Sequence, residues 1–180
     1  MNFKETKKLA EQGNIEAQYG LGLMYVRRKG VPKNCIKALN KNYIKALKWF
    51  RLAADQGHAR AQFSLGVRYF RGEGVRQSNV QAVKRWFLAA EQGLVDAQLI
   101  LGLRYDLGYD IRKNYVKAAK WYRLAAEQGN AEAQTNLGNL YDFGKGVAKD
   151  KVEASNWFNL AAAQGVVYAQ ERFKELGVKI

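Results

Sequence analysis

The sequence has very little of three residue types that often decide a protein's chemistry or shape. Its 180 residues contain one cysteine, one proline and one histidine, which are Cys35, Pro32 and His58. A single cysteine excludes an intrachain disulfide and favours a reducing compartment, and a single histidine excludes a metal site built on several histidines. A single proline allows long helices to run almost without interruption.

Long hydrophobic runs are also missing. No apolar stretch approaches the ~20 residues that a membrane-spanning helix needs, and residues 1–8 lack the apolar core of a secretory signal. We therefore expect a cytoplasmic protein, or a periplasmic or secreted one if a signal peptide has been removed. The composition, with 48% hydrophobic and 26% charged residues, is typical of a folded globular chain.

Acidic residues are scarce in the first half of the chain. Residues 1–90 hold 18 lysines and arginines against 5 acidic residues, a net charge of +13, whereas residues 91–180 carry only +1. No acidic residue occurs between Glu16 and Asp55. An electrostatic partner is therefore expected to dock on the first half.

Catalytic motifs are missing as well. The sequence has no HExxH metal motif, no nucleophile elbow, no SxxK pair and no glycine-rich loop ending in Lys-Ser or Lys-Thr. Residues 144–146, Gly-Lys-Gly, have the wrong spacing for a phosphate loop. Acidic residues such as Asp106 and Asp142 recur on predicted helices without obvious pairing. We therefore predict that the protein is not an enzyme and that it needs no metal and no cofactor.

What the sequence does have is a period. The pair Gln-Gly recurs with spacings of 44, 36, 36 and 36 residues, and the pairs Ala-Gln and Leu-Gly and a tyrosine recur in phase with it. The glycines of the Gln-Gly pairs are Gly13, Gly57, Gly93, Gly129 and Gly165. The glycines of the Leu-Gly pairs are Gly22, Gly66, Gly102 and Gly138. Repetition at this spacing is typical of helical repeat proteins.

Each period predicts two helices. In the first helix Ala17, Leu21 and Tyr25 are spaced i, i+4, i+8 and form one stripe. Gly22 lies in the middle of that helix, where glycine costs roughly 1 kcal/mol relative to alanine. Its recurrence in every repeat predicts a close approach between helices that a side chain would block. Gly129 and its equivalents follow the second helix, where glycine readily adopts a positive φ.

The consensus AQxxLGxxYxxGxGV, followed by AxxWY/FxxAAxQG, resembles the Sel1-like repeat family, a branch of the tetratricopeptide-like helical repeats. The resemblance implies an all-α fold, a right-handed α/α superhelical solenoid of four repeats with half-repeats at both ends, in one domain over residues 1–180. The expected segments are a half-repeat at 2–13, repeats at 14–57, 58–93, 94–129 and 130–165, and a terminal helix at 166–176. Some cysteine-rich members of the family are lactamase-like enzymes, an alternative that the single Cys35 argues against.

Two departures from the consensus are informative. The first repeat carries eight extra residues, in which 34–39 is echoed by 42–47. We predict that they lengthen the second helix at its start, from about Lys33, rather than form a loop. In the second repeat Phe87 takes a position that Arg51, Arg123 and Asn159 hold elsewhere. Phe87 is then either an exposed aromatic residue or part of a locally repacked core.

A lengthened helix would align a row of lysines opposite its apolar face. These lysines are Lys33, Lys37, Lys41, Lys45 and Lys48. The row is either an ordinary solvated face or a docking strip for an anionic partner.

The family resemblance also implies that the first helix of each pair lines a concave groove. The predicted partner-binding residues are Tyr19, Leu23, Arg27, Arg60, Phe63, Val67, Phe70, Arg71, Leu99, Leu103, Asp106 and Asn139. Those in the first half are aromatic, aliphatic or arginine, and aromatic residues and arginine dominate binding energy at protein interfaces. The alternative is that the apolar members pack against neighbouring helices.

The sequence therefore favours a scaffold or adaptor that binds a protein or peptide, with an acidic contact surface expected on the partner. The alternative is nucleic-acid or other polyanion binding through the basic first half, although no recognised nucleic-acid motif accompanies the charge.

Overall fold

The structure, a computed structural model, describes residues 2–27 and 36–177, with the backbone alone for residues 36–39. These residues form ten α-helices and no strand. The helices are α1 Phe3–Glu11, α2 Ile15–Val26, α3 Ile36–Asp55, α4 Ala59–Arg71, α5 Asn79–Glu91, α6 Val95–Leu107, α7 Tyr115–Glu127, α8 Ala131–Phe143, α9 Lys151–Ala163 and α10 Val167–Leu176. The prediction of an all-α repeat fold is confirmed.

The chain divides into two compact units, Met1–Leu94 and Val95–Ile180. In the N-terminal unit the described helices α1 to α5 pack in chain order, and in the C-terminal unit α6 to α10 do the same. In addition, α6 contacts α8, the first helix of the next repeat. Within the described ranges, none of the helices is both long and apolar enough to cross a membrane.

Helix boundaries are set by side-chain caps and by glycine. Asn14, His58 and Asn130 cap α2, α4 and α8 by accepting a hydrogen bond, of 2.8 to 3.0 Å, from a backbone N–H of the first turn. Such a cap contributes about 1 kcal/mol to helix stability. The glycines of the Gln-Gly pairs follow the second helices with φ between +84° and +92°, as predicted, and this conformation turns the chain into the next repeat.

The predicted close approach between helices is confirmed in all four repeats. The glycine of each Leu-Gly pair lies against an aromatic ring of the second helix in the same repeat. A Cβ atom added at Gly22 would lie 2.5 Å from Phe50, at Gly66 2.5 Å from Trp86 and at Gly138 2.8 Å from Phe158, and at Gly102 it would overlap the ring of Tyr122. All four rings are buried. The absence of a side chain at these glycines therefore makes the room that the rings occupy.

The glutamines of the two motifs bond to each other. Nε2 of the Gln-Gly glutamine donates to Oε1 of the Ala-Gln glutamine over 2.7 to 2.9 Å in the pairs Gln56–Gln18, Gln92–Gln62, Gln128–Gln98 and Gln164–Gln134. In three of these pairs the buried acceptor also donates, through its own Nε2, to a carbonyl near the end of the preceding second helix: Gln18 to Ala10, Gln62 to Ala54 and Gln134 to Ala126. One carboxamide thus joins three helices, which explains why the motifs recur in phase.

The eight extra residues of the first repeat lengthen a helix, as predicted. Helix α3 has 20 residues, whereas α5, α7 and α9 have 13 each. It begins at Ile36, and the predicted start near Lys33 lies outside the described residues. Leu47 and Phe50 of α3 are buried, and Lys41 on its opposite face is exposed.

Phe87 lies on the surface, with 37% of its area exposed. Trp86 takes the buried ring position against Gly66 that Phe50 takes against Gly22. The structure therefore favours the exposed alternative for Phe87, because the preceding residue already fills the core.

Helix α2 contains two glycines whose substitution by alanine should change the stability of the protein in opposite directions. Gly22→Ala forces a Cβ into the ring of Phe50 and should lower the free energy of unfolding by roughly 1–3 kcal/mol. Gly20→Ala meets nothing nearer than a Thr6 methyl at 3.8 Å and should raise it by up to about 1 kcal/mol through helix propensity. Urea unfolding of both variants measures the difference. Equal effects of the two substitutions would contradict the close-packing account.

The glutamine pairs predict that leucine at a buried and at an exposed glutamine position should differ in its effect on stability. Gln134→Leu removes one acceptor of Gln164 and leaves the buried carbonyl of Ala126 without this donor, and should cost about 1–3 kcal/mol. Gln170, the equivalent residue of α10, is exposed where it bonds to Ala162, so Gln170→Leu should cost clearly less. Thermal unfolding of the two variants compares them, and a larger loss in the Gln170 variant would be evidence against the role of the buried carboxamide.

Candidate functional site

The predicted partner-binding residues of the N-terminal unit fall into two kinds. The arginines Arg27, Arg60 and Arg71 are exposed, and the apolar residues Tyr19, Leu23, Phe63, Val67 and Phe70 are half-buried. Tyr19 and Leu23 pack against the core formed by α2, α3 and α4, and the ring of Phe70 lies 5.7 Å from that of Trp86. Each apolar residue of this set thus packs partly against the core and is partly exposed, whereas the arginine side chains lie in solvent.

A histidine joins the first helices of the first two repeats. His58 Nδ1 accepts the hydrogen bond that caps α4, so the neutral ring carries its proton on Nε2. That nitrogen lies 3.1 Å from Glu16 Oε1 on α2. The ring also lies 4.6 Å from the ring of Tyr19. Three side chains of unlike chemistry therefore meet on this part of the predicted binding face.

Two neighbouring arginines of α4 have different surroundings. Arg68 is buried and pairs with Glu73, while its guanidinium lies 5.4 Å from the centre of the Tyr43 ring. Burial lowers the pKa of Arg68, and the charge of Glu73 opposes that effect. Arg71 approaches Glu73 only to 3.9 Å and keeps 61% of its side chain exposed. Because Glu73 mainly neutralises Arg68, the charge of Arg71 remains open to a partner.

The described part of the lysine row is exposed on α3. Lys41, Lys45 and Lys48 face solvent, whereas Lys33 and the side chain of Lys37 lie outside the described residues. The ammonium of Lys45 lies 5.5 Å from the Tyr25 ring, and that of Lys48 lies 5.6 Å from the Trp49 ring. The same two contacts recur in the third repeat as Lys117–Tyr105 and Lys120–Trp121. Part of the row is therefore a repeated packing feature.

In the C-terminal unit the structure brings two predicted residues together. Asp106 of α6 and Asn139 of α8 line one cleft of about 230 Å³, together with Asn136, Leu140, Phe143, Lys145 and Tyr168. By contrast, Leu99 and Leu103 pack against the core of this unit. The cleft combines a carboxylate, two carboxamides and a cation, so it is suited to polar recognition.

Two tyrosines orient the polar side chains of the cleft. The hydroxyl of Tyr122 donates to Asp106 Oδ2 over 3.2 Å, and the hydroxyl of Tyr168 donates to Asn139 Oδ1 over 2.9 Å. Burial and the neighbouring Asp106 carboxylate raise the pKa of Tyr122, so its hydroxyl stays protonated and remains a donor. The carboxylate of Asp106 is therefore oriented by a fixed hydrogen-bond donor.

Asp142, for which the sequence shows no obvious pairing, has a partner in the structure. Its buried carboxylate pairs with Arg172 of α10, which also pairs with Glu175. This hydrogen bond with Asp142 raises the pKa of Arg172. The pair could not be found from the sequence because Arg172 lies 30 residues away in the terminal helix. Lys145 and Tyr168 lie in other segments of the chain, and no spacing links them to Asp106. Asn136 could have been found, because it lies one helical turn before Asn139 in the same helix.

The comparisons with known proteins agree with this repeated framework. A family model described as the Sel1 repeat matches residues 15–40, 39–58, 59–94, 95–130 and 131–166. The chain belongs to the Sel1 repeat family. The first two segments of the Sel1 match meet at residues 39–40, inside the stretch that the eight extra residues affect.

Two solved structures are similar over nearly the whole chain. One is c5321, a protective antigen of uropathogenic Escherichia coli with an SLR fold, at 39% identity and a TM-score of 0.84 over 94% of this chain. The other is a Sel1 repeat protein from Oxalobacter formigenes, at 36% identity and a TM-score of 0.86 over 95% of this chain. The chain spans 34% of the first protein and 47% of the second.

A more distant structure shares the fold alone. Cysteine-rich protein B from Helicobacter pylori is 22% identical, with a TM-score of 0.57 over 74% of this chain and 96% of its own. No curated protein matches this chain in sequence.

Proposed function

We propose that this chain is a protein-binding scaffold or adaptor that contacts its partner through the exposed side chains of its first helices, above all in the N-terminal unit. The observation that carries the proposal is helix α4, where exposed Arg60 and Arg71 accompany half-buried Phe63 and Phe70. Sel1 repeat proteins are generally interaction scaffolds rather than enzymes, and we propose the same role here, without catalysis.

A comparison between the repeats supports this choice of surface. The glycine, aromatic and glutamine positions that hold each repeat together stay nearly constant along the chain. The positions of Phe63 and Arg71 in α4 are instead taken by Thr135 and Phe143 in α8. Phe63 is half-buried and Thr135 is buried, whereas Arg71 and Phe143 are exposed, so the chemistry at the exposed position is free to match a partner.

Charge defines the kind of partner that we propose. The residues of the N-terminal unit up to residue 90 carry a net charge of +13, and Arg60 and Arg71 are exposed on the proposed contact surface. Charge complementarity speeds association and suppresses wrong partners more than it adds affinity. We therefore propose a partner with an acidic surface and apolar anchors that reach Phe63 and Val67.

Polyanion binding, including nucleic acid, is the second candidate. It is favoured by the exposed lysines of α3, since Lys41, Lys45 and Lys48 lie in a stretch with no acidic residue from 17 to 54. Such binding depends on total positive charge and weakens steeply as salt rises.

A charge-reversal pair tests the surface. Arg60→Glu/Arg71→Glu changes the first helix of the second repeat, and the control Arg76→Glu/Lys84→Glu makes the same change in net charge at exposed residues outside that helix. Affinity capture from a lysate of the source organism, with mass spectrometry, should show a specific protein that the first variant loses by at least about tenfold and the control keeps. Circular dichroism checks that both variants fold.

The same variants separate the two candidate functions. If the protein acts through polyanion binding, both variants should weaken heparin and RNA binding to a similar extent, with a steep dependence on salt. A specific protein partner that both variants bind as well as the original would show that the assignment to the first helices is wrong.

A further inference from the structure

The repeats offer an internal comparison at the polar cleft of the C-terminal unit. Asp106 and Asp142 are 36 residues apart and hold the same position in successive repeats, and Asn139 and Glu175 do the same. At the later site Arg172 of α10 reaches from its helix to pair with both Asp142 and Glu175. An arginine there fills the space between two acceptors.

At the earlier site the arginine is missing. The position equivalent to Arg172 is Asn136, whose shorter side chain lines the cleft instead of filling it. The acceptors Asp106 and Asn139 are retained, and a cleft of about 230 Å³ remains between them. Within residues 2–27 and 36–177, Asp106 accepts a hydrogen bond from Tyr122 and makes no ion-pair contact with a lysine or arginine, although its charge acts on the more distant Lys113.

We propose that this cleft binds an arginine side chain of a partner protein, whose guanidinium takes the place beside Asp106 and Asn139 that Arg172 takes beside Asp142 and Glu175. The inference rests on the proposed function, because it names one side chain by which a protein partner is recognised. The cleft would be a second contact with the partner, in the C-terminal unit, and it would bind a positively charged group, whereas the N-terminal surface would bind acidic groups.

The size and the lining of the cleft fit this side chain. Its volume lies below the roughly 300 Å³ at which pockets for drug-sized ligands begin, so it accommodates a side chain better than a cofactor. A guanidinium presents several donors in a fixed plane, which suits two acceptors on separate helices, whereas an ammonium acts as a point charge. Asn139 Oδ1 already accepts from Tyr168, and a carbonyl oxygen can accept a second hydrogen bond.

The remaining lining supports a peptide rather than a free cation. Phe143 and Tyr168 are 58% and 45% exposed and offer aromatic faces on which a guanidinium stacks. The ammonium of Lys145 lies 5.3 Å from the Phe143 ring centre. Held against that ring, the ammonium can donate to a main-chain carbonyl of the bound segment.

The test uses a single blocked amino acid as the probe. The full chain, labelled with nitrogen-15 and carbon-13, is titrated by NMR with N-acetyl-arginine methylamide and with its uncharged citrulline analogue. We expect millimolar binding of the arginine probe, with shifts centred on Asn136, Asn139 and Leu140, and at least about tenfold weaker binding of the citrulline probe.

Three variants locate the contact. Asp106→Asn should weaken arginine binding about tenfold, and the control Asp96→Asn, at an exposed residue of the same helix, should leave it unchanged. Asn136→Arg restores the residue type of the later site. It should fill the cleft, abolish probe binding and raise the thermal unfolding midpoint, a readout that needs no ligand.

Several outcomes would overturn the inference. They are equal binding of the arginine and citrulline probes, unchanged binding in Asp106→Asn, and tighter binding of N-acetyl-glutamate methylamide, which would make the cleft an anion site on Lys145. A captured protein partner that is lost in Arg60→Glu/Arg71→Glu but kept in Asp106→Asn would also overturn it, while leaving the proposed function intact. Failure of both variants to affect capture would instead count against the proposed function.

Discussion

A glycine pressed against an aromatic ring is the contact on which the rest of each repeat depends. The first helix has a glycine at position 22, 66, 102 or 138, and a buried ring of the second helix occupies the space that a side chain would need. Glycine inside a helix lowers helix stability by roughly 1 kcal/mol relative to alanine, and the burial of a whole aromatic side chain outweighs this cost. Three of the buried glutamines, Gln18, Gln62 and Gln134, then join their pair to the end of the preceding second helix.

This framework separates residues that make the fold from residues that are free to make contacts. The glycines of the Leu-Gly pairs, the rings and the glutamines of the Ala-Gln pairs occupy constrained, nearly constant positions, so they leave little room for a partner. The exposed positions of the first helices change in chemistry along the chain, from Arg60 and Arg71 in α4 to Glu132 and Phe143 in α8, and the half-buried Asp106 and Asn139 line the cleft. We therefore propose that recognition uses the variable positions, with a cationic contact surface in the N-terminal unit and an arginine-accepting cleft in the C-terminal unit.

Much of the local structure could be predicted from the sequence because it depends on short spacings. The period predicted the helix pairs, the recurrent glycines predicted the close approach, and the duplicated stretch predicted the longer α3. The bond between Gln128 and Gln98 and the pairing of Asp142 with Arg172 could not be predicted, because each joins residues 30 positions apart whose meeting depends on side-chain direction. The period marked these positions as equivalent, but it did not indicate which of them touch.

The most direct test of the central contact is a double-mutant cycle between Gly138 and Phe158. If the ring is what excludes a side chain, Gly138→Ala should lower the free energy of unfolding by roughly 1–3 kcal/mol in the original chain. In a Phe158→Leu background the same change should cost nothing or raise stability by up to about 1 kcal/mol. Urea unfolding of the four proteins measures the coupling, and an equal penalty in both backgrounds would contradict the account.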